Sequence, residues 1–208
     1  MKKLFILTLC VLFFSCGDGV DDIIEDESAT TVIDIDGNVY EIATIGAQVW
    51  MTENLRTTKY RDGGEILNVK SGWGTSATGA YCDYDNTPSN SAKYGRLYNG
   101  YAVTNARNIA PEGWRIPTDV DWEVLIKYVG GESVAVNELT KAPFLALPAG
   151  NIQGSSFSMR GSLGNWFTFF SPGNTNLYRT VFFFNDGNII KHDARKEDGY
   201  SIRLIKEF

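Results

Sequence analysis

APEGWRIPTDVDWEVLIKYVGG, residues 110–131, carries the clearest local structure in the chain. Pro117 fixes its own backbone φ near the helical value, just ahead of a helix start. Thr118 stands at the capping position, and Asp121, three residues on, takes the place a capping box usually gives to Glu. Trp122, Leu125 and Tyr128, joined by Val124 and Val129, recur at helical spacing, and Gly130-Gly131 ends the run. The pattern predicts one helix directly after Pro117, with that stripe turned to the core.

Outward from this helix the chain reads as strands and short polar turns. Residues 31–35 and 39–45 flank Asp36-Gly37-Asn38, a hairpin signal because Gly and Asn accept positive φ. Gly46-Ala47-Gln48 turns the chain again before Val49-Trp50-Met51. Residues 177–184 and 189–192 flank Asn185-Asp186-Gly187-Asn188 in a second hairpin, and residues 200–205 alternate as a final strand. The stretch 54–99 is rich in Gly, Ser, Thr and Asn, yet Tyr60, Tyr81, Tyr84, Tyr94 and Tyr98 predict packed, ordered loops. The expected class is α+β, mostly β, with few short helices and long ordered loops.

The composition narrows the function classes. The chain has 208 residues, 43% hydrophobic and 13% aromatic, enough to fill a sizeable core. Its formal charge of −6 argues against nucleic acid as a partner, because phosphate contacts need clustered Lys and Arg. A single histidine excludes a multi-histidine metal site, and three cysteines make no even disulfide framework.

The first thirty residues read as an address and a tether. Lys2 and Lys3 precede an uncharged run from Leu4 to Phe14, shorter than the ~20 residues of a membrane-spanning helix. Ser15-Cys16 at its end resembles the lipobox of bacterial lipoproteins, with Phe13 where that pattern usually has Leu. The resemblance implies that residues 1–15 are a signal peptide and that Cys16 becomes the acylated N-terminus; an ordinary signal peptide with a chance cysteine is the competing reading. Cleavage would discard Cys10, leave Cys82 as the one thiol, and set 17 basic against 25 acidic residues, a formal charge of −8. Residues 16–30 then form an acidic tether with Asp18, Asp21, Asp22, Glu25, Asp26 and Glu27. Acidic residues so close to a lipidated cysteine resemble the surface-display signal of Bacteroidetes lipoproteins. The expected location is the outer membrane, lipid-anchored and exposed on the cell surface.

One family gathers the remaining phrases. They are Gln48-Val49-Trp50-Met51-Thr52-Glu53-Asn54-Leu55-Arg56-Thr57-Thr58-Lys59-Tyr60, Gly79-Ala80-Tyr81-Cys82, Tyr84-Asp85-Asn86 and Tyr94-Gly95-Arg96-Leu97-Tyr98-Asn99. Residues 110–118 and Gly199-Tyr200-Ser201-Ile202-Arg203 complete the set. In this order they resemble the Fibrobacter succinogenes major paralogous domain, over residues 31–208. Proteins of that family are typically secreted or lipid-anchored, and their molecular function is largely undefined. More remotely, residues 113–123 and the closing Gly-aromatic-x-x-Arg strand are similar to C-type-lectin-like domains and formylglycine-generating enzymes. That resemblance implies a C-type-lectin-like fold of two small sheets, with the two ends of the domain brought into one of them. Gly100, Asn165–Thr168, Leu204 and a short segment 131–147 depart from the family pattern.

No catalytic constellation emerges. His192, with Asp193 beside it, reads as an exposed turn residue rather than a base, and Cys82 as a small packed thiol. The copper chemistry of formylglycine-generating enzymes uses a cysteine pair, which the mature chain lacks. Asp83 and Asp85 are candidates for glycosidic acid/base work. With Asn86 they offer oxygens to calcium, which wants six to eight of them; a turn explains such residues without metal. Trp114, Arg115 and Arg203 read as structural. Trp73, Tyr81, Tyr84 and Trp166, with Asp83, Asp85 and Asn86, form the predicted ligand site, since sugar rings stack on aromatic faces among polar loop residues. The competing reading has these aromatics packing the long loops, as Phe167, Phe169, Phe170, Phe182, Phe183 and Phe184 are expected to fill the core.

The expected function is thus a surface-anchored, non-enzymatic domain that binds an extracellular glycan or protein, with no catalytic residue, no resident metal and no cofactor beyond the calcium option. An assembly subunit of a cell-surface complex is the alternative, and it predicts a flat apolar patch or an exposed strand edge. An enzyme acting on polysaccharide needs two convergent ionisable groups.

Overall fold

The computed structural model describes residues 30–170 and 177–207. The expected signal peptide, the expected lipidation site Cys16 and the expected acidic tether fall on residues 1–30, of which 1–29 lie outside the described residues. No described helix is long and apolar enough to cross a membrane.

In chain order, β1 (Thr31–Ile33), β2 (Val39–Ile45) and β3 (Gln48–Met51) form an antiparallel meander. β4 (Leu67–Asn68), β5 (Ala80–Cys82), α1 (Pro88–Tyr94), β6 (Leu97–Asn99) and α2 (Gly100–Val103) order the loop-rich stretch. Then come β7 (Trp114–Arg115), α3 (Asp119–Tyr128) and α4 (Glu132–Leu139). β8 (Asn151–Gln153), β9 (Ser156–Ser158), β10 (Leu163–Phe169), β11 (Leu177–Phe183) and β12 (Ile189–Asp193) follow. β13 (Gly199–Tyr200) and β14 (Ile205–Lys206) close the chain.

These strands make three sheets, not the two expected. Their orders are β1-β2-β3-β14-β7, β4-β5-β6-β13-β8-β9 and β10-β11-β12. The first and last strands do share a sheet. The architecture is α+β and sheet-rich, as the sequence implied.

Local chemistry explains the element ends. The first hairpin strand stops at Ile33 because Asp34 curls the chain: its carboxylate accepts from the backbone N–H groups of Asp36 and Asn38 and from the Tyr40 hydroxyl at 2.6 Å. At α3 the capping box is present, with the Thr118 hydroxyl accepting from the Asp121 N–H and the Asp121 carboxylate accepting from the Thr118 N–H. Arg115 grips the same carboxylate with both terminal nitrogens, at 2.6 and 2.9 Å. Burial alone would raise the Asp121 pKa, but the Arg115 and Thr118 hydrogen bonds outweigh it and hold the carboxyl below the usual aspartate value.

The inward stripe of α3 differs from the predicted one. Trp122, Leu125 and Ile126 are buried, whereas Val124 is 44% and Tyr128 64% exposed. Tyr128 lies over Gly46 in the β2–β3 turn, where a Cβ would stand 2.8 Å from its ring. The buried face packs Trp122 against Trp50, Phe144, Trp166 and Phe182, with ring centroids 5.1 to 6.0 Å apart. A second cluster gathers Tyr40, Met51, Tyr98, Phe167 and Tyr200. A third, smaller one holds Trp73, Cys82, Tyr84 and Ile152. Phe167 and Phe182 fill the core as expected, but Phe170 is exposed.

Arg203 ties the Trp122 cluster to the one holding Met51. It is fully buried; its Nε donates to Asn54 Oδ1 at 3.0 Å and its Nη1 to the carbonyls of Phe144 at 2.7 Å and Met51 at 3.2 Å. Burial lowers its pKa to about 9, since no carboxylate bonds it.

Candidate functional site

The predicted aromatic platform does not form. Trp73, Tyr81, Tyr84 and Trp166 are all buried, and they belong to three separate clusters. Trp166 spends its indole N–H on Asn54 Oδ1 at 2.8 Å, deep beside Arg203. Trp73 is sealed by the backbone of Gly199, where a Cβ would come within 2.6 Å of the indole. The physical reason is economy of packing: a described domain without a disulfide must fill its long loops with large side chains.

The polar members of the predicted site are engaged as well. Asp83 is buried and accepts hydrogen bonds from the Ser91 hydroxyl and from Arg96 Nε. Asp85 faces Arg160, 3.5 Å away, and Asn86 donates to the Lys70 carbonyl. Both Asp85 and Asn86 hold positive φ, 55° and 53°. Arg96 and Arg160 also lie over the rings of Tyr81 and Tyr84, at 4.8 and 4.6 Å. Each carboxylate therefore faces its own arginine. Among the described residues no group of three or more His, Cys, Asp or Glu side chains is placed to hold a metal ion.

Cys82 is buried and free, and burial, with Asp83 adjoining, pushes its thiol pKa far up. A thiol in that state is a poor nucleophile. His192 is exposed on β12, opposite Arg179 in the ladder.

Two surface features take the place of the predicted platform. At the tip of the first hairpin, Ile33 and Val39 are cross-strand partners, 59% and 49% exposed, beside a cavity of about 280 Å3 lined by Ile109, Pro111 and Arg61. The larger is a groove of about 560 Å3 between β12 and α3, floored by Ile126 and Ile189. Lys191 Nζ stands there 2.8 Å from Glu123 and 3.8 Å from Asp119. Burial raises the Asp119 pKa despite that lysine, and its Oδ1 has no hydrogen-bond partner. The sequence showed the strand of residues 189–192 but not that it would end a sheet, because strand neighbours are set by tertiary structure.

Comparison with known proteins agrees with the sequence phrases. No curated protein and no solved structure matches the chain. A model of the Fibrobacter succinogenes major domain matches residues 43–206, more than half of the chain, from β2 through β14. The chain belongs to the Fibrobacter succinogenes major domain family.

Proposed function

We propose that this protein is a surface-anchored lipoprotein, acylated at Cys16, whose folded domain binds another protein and catalyses no reaction. The observation that carries this reading is the division of the side chains. Of the groups expected to stack on a sugar or attack a bond, Trp73, Tyr81, Tyr84, Trp166 and Cys82 are buried in packing, and Asp83 and Asp85 pair with arginines. The exposed features are apolar side chains and a strand edge, which suit a protein surface. A C-type-lectin-like arrangement of the strands belongs to the same proposal. It is supported by β3 pairing with β14, which brings the two ends of the domain together.

A permanent role in a cell-surface complex is the second reading, favoured by the exposed Ile33–Val39 pair. Cross-linking on intact cells, followed by identification of the joined chains, tests both. A partner present at all growth stages and in fixed ratio supports assembly, and a partner captured only when supplied supports recognition. Recovery of glycan alone, with no protein joined, overturns the proposal. Mass spectrometry of the mature N-terminus tests the anchor, with a diacyl or triacyl mass on Cys16 expected.

A further inference from the structure

We propose that the outer edge of β12 and the facing side of α3 accept an extended, basic segment of a partner protein as a fourth strand of the β10-β11-β12 sheet. The inference rests on the protein-binding reading above and names where and how the partner sits.

The two edges of this sheet are treated differently. β10 is stitched to the rest of the fold: Phe167 N donates to Ser201 O, Ser201 N to Asn165 O, and Phe169 N to Pro117 O, at 3.0 to 3.1 Å. β12 has no such stitching among the described residues. Ala194 N donates to Leu177 O at 3.0 Å, which sets the phase of the antiparallel ladder. By alternation Ile190 and His192 turn their main-chain groups to β11, and Ile189, Lys191 and Asp193 turn theirs outward. Three N–H donors and three C=O acceptors thus line an edge that no described strand pairs with.

The groove follows that edge. Ile189, Ile190 and Lys191 all line it, although consecutive strand side chains point to opposite faces, so the groove runs along the strand rather than over one face. Its other wall is Glu123, Ile126 and Lys127, which share one side of α3 by their i, i+3, i+4 spacing. A strand edge bounded by a helix is a geometry in which an added strand gains main-chain hydrogen bonds on one side and side-chain pockets on the other.

Charge selects the occupant. Glu123 and Glu132 line the groove with Lys127 and Lys191, and the Asp119 carboxylate beside Lys191 leaves this group net negative. Lys191 is shared between two carboxylates, 2.8 Å from Glu123 and 3.8 Å from Asp119 Oδ1, so one cation serves both. A basic side chain on the incoming strand complements that rim. A second copy would set the same net-negative rim against itself, and the acidic segment 17–30 of this chain carries six carboxylates and no base.

The test uses the full chain and a displayed library of random peptides. Enriched peptides are expected to be net basic and, when bound, to slow amide exchange at Ile189, Lys191 and Asp193 while leaving Ile190 and His192 unchanged. Lys191→Pro removes an outward N–H, which an edge strand tolerates, and is expected to weaken the peptides about tenfold or more, with Lys191→Gln as the control that keeps the N–H. If Lys191→Pro does not fold, the exchange pattern on the unaltered chain decides. An acidic consensus, protection elsewhere, no enriched peptide or unchanged binding by Lys191→Pro overturns the inference. A protein partner cross-linked on cells equally well by Lys191→Pro would overturn it while leaving the protein-binding reading intact. Absence of any cross-linked partner for the unaltered chain would remove that reading.

Discussion

Arg203 and Asn54 meet at the centre of the domain, the guanidinium Nε donating to the amide oxygen at 3.0 Å, in a site closed to water. The same oxygen accepts from Trp166, and the Asn54 amide nitrogen donates to the Tyr94 carbonyl at 2.8 Å. One asparagine thereby joins the last strand region, β10 and the end of α1.

Replacing Arg203 with Met should destabilise the domain by about 3 kcal/mol or more, because the carbonyls of Met51 and Phe144 lose their donor in a buried place. Arg203→Lys should recover only part of that loss, since an ammonium cannot reproduce the planar fork. Denaturant titration of the three proteins checks the order.

Trp166 distinguishes a packed aromatic from a ligand platform. Trp166→Phe should cost about 1 kcal/mol for the lost bond to Asn54, and Trp166→Ala about 3–5 kcal/mol for the cavity. Both losses should appear in unfolding curves. A Trp166→Ala protein of unchanged stability that lost affinity for a glycan would contradict the buried placement.

Acid should loosen the entry to α3. Asp121 and Asp36 both have carboxyl pKa values lowered from the ordinary 3.8. For Asp36, burial opposes the shift, and hydrogen bonds from Thr58, Thr57 and Lys59 overcome it. A carboxyl with a depressed folded pKa contributes stability that is complete above its unfolded pKa and is lost as pH falls through the folded one. Stability should therefore decline below about pH 4, and Asp121→Asn should have lower stability at neutral pH with a shallower acid decline. Unfolding free energies measured from pH 7 to 3 give both slopes.

Cys82 should resist alkylation in the folded protein. It is fully buried and its thiol is held protonated, so labelling by iodoacetamide should follow global unfolding. Mass-resolved labelling across a denaturant series should show modification rising with the unfolding transition. Rapid labelling in native buffer would contradict the burial of β5.

The legible parts of the fold were those set by near neighbours in sequence. Thr118, Asp121 and the diglycine at 130–131 fixed α3, and Asp36-Gly37-Asn38 marked the first hairpin. The stripe was misread at Val124 and Tyr128 because the 3.6-residue period admits two adjacent faces, and only packing on Trp50 chose between them. α4 was missed because Glu132–Leu139 alternates valine with polar or small residues and so imitates a strand. The candidate site failed to read for a different reason. An Asn- and Gly-rich setting marks a loop, but whether Trp73 faces water depends on Gly199, more than a hundred residues away. The open edge of β12 likewise has no local signature.

The order β3-β14-β7 has a consequence in time. Residues 205–206 sit between strands that precede them by about 90 and about 155 residues, so the five-stranded sheet keeps a gap until β14 arrives. A chain still emerging from a ribosome holds β3 and β7 without the strand that bridges them. Closure of this sheet therefore waits on β14, the strand of the sheet made last.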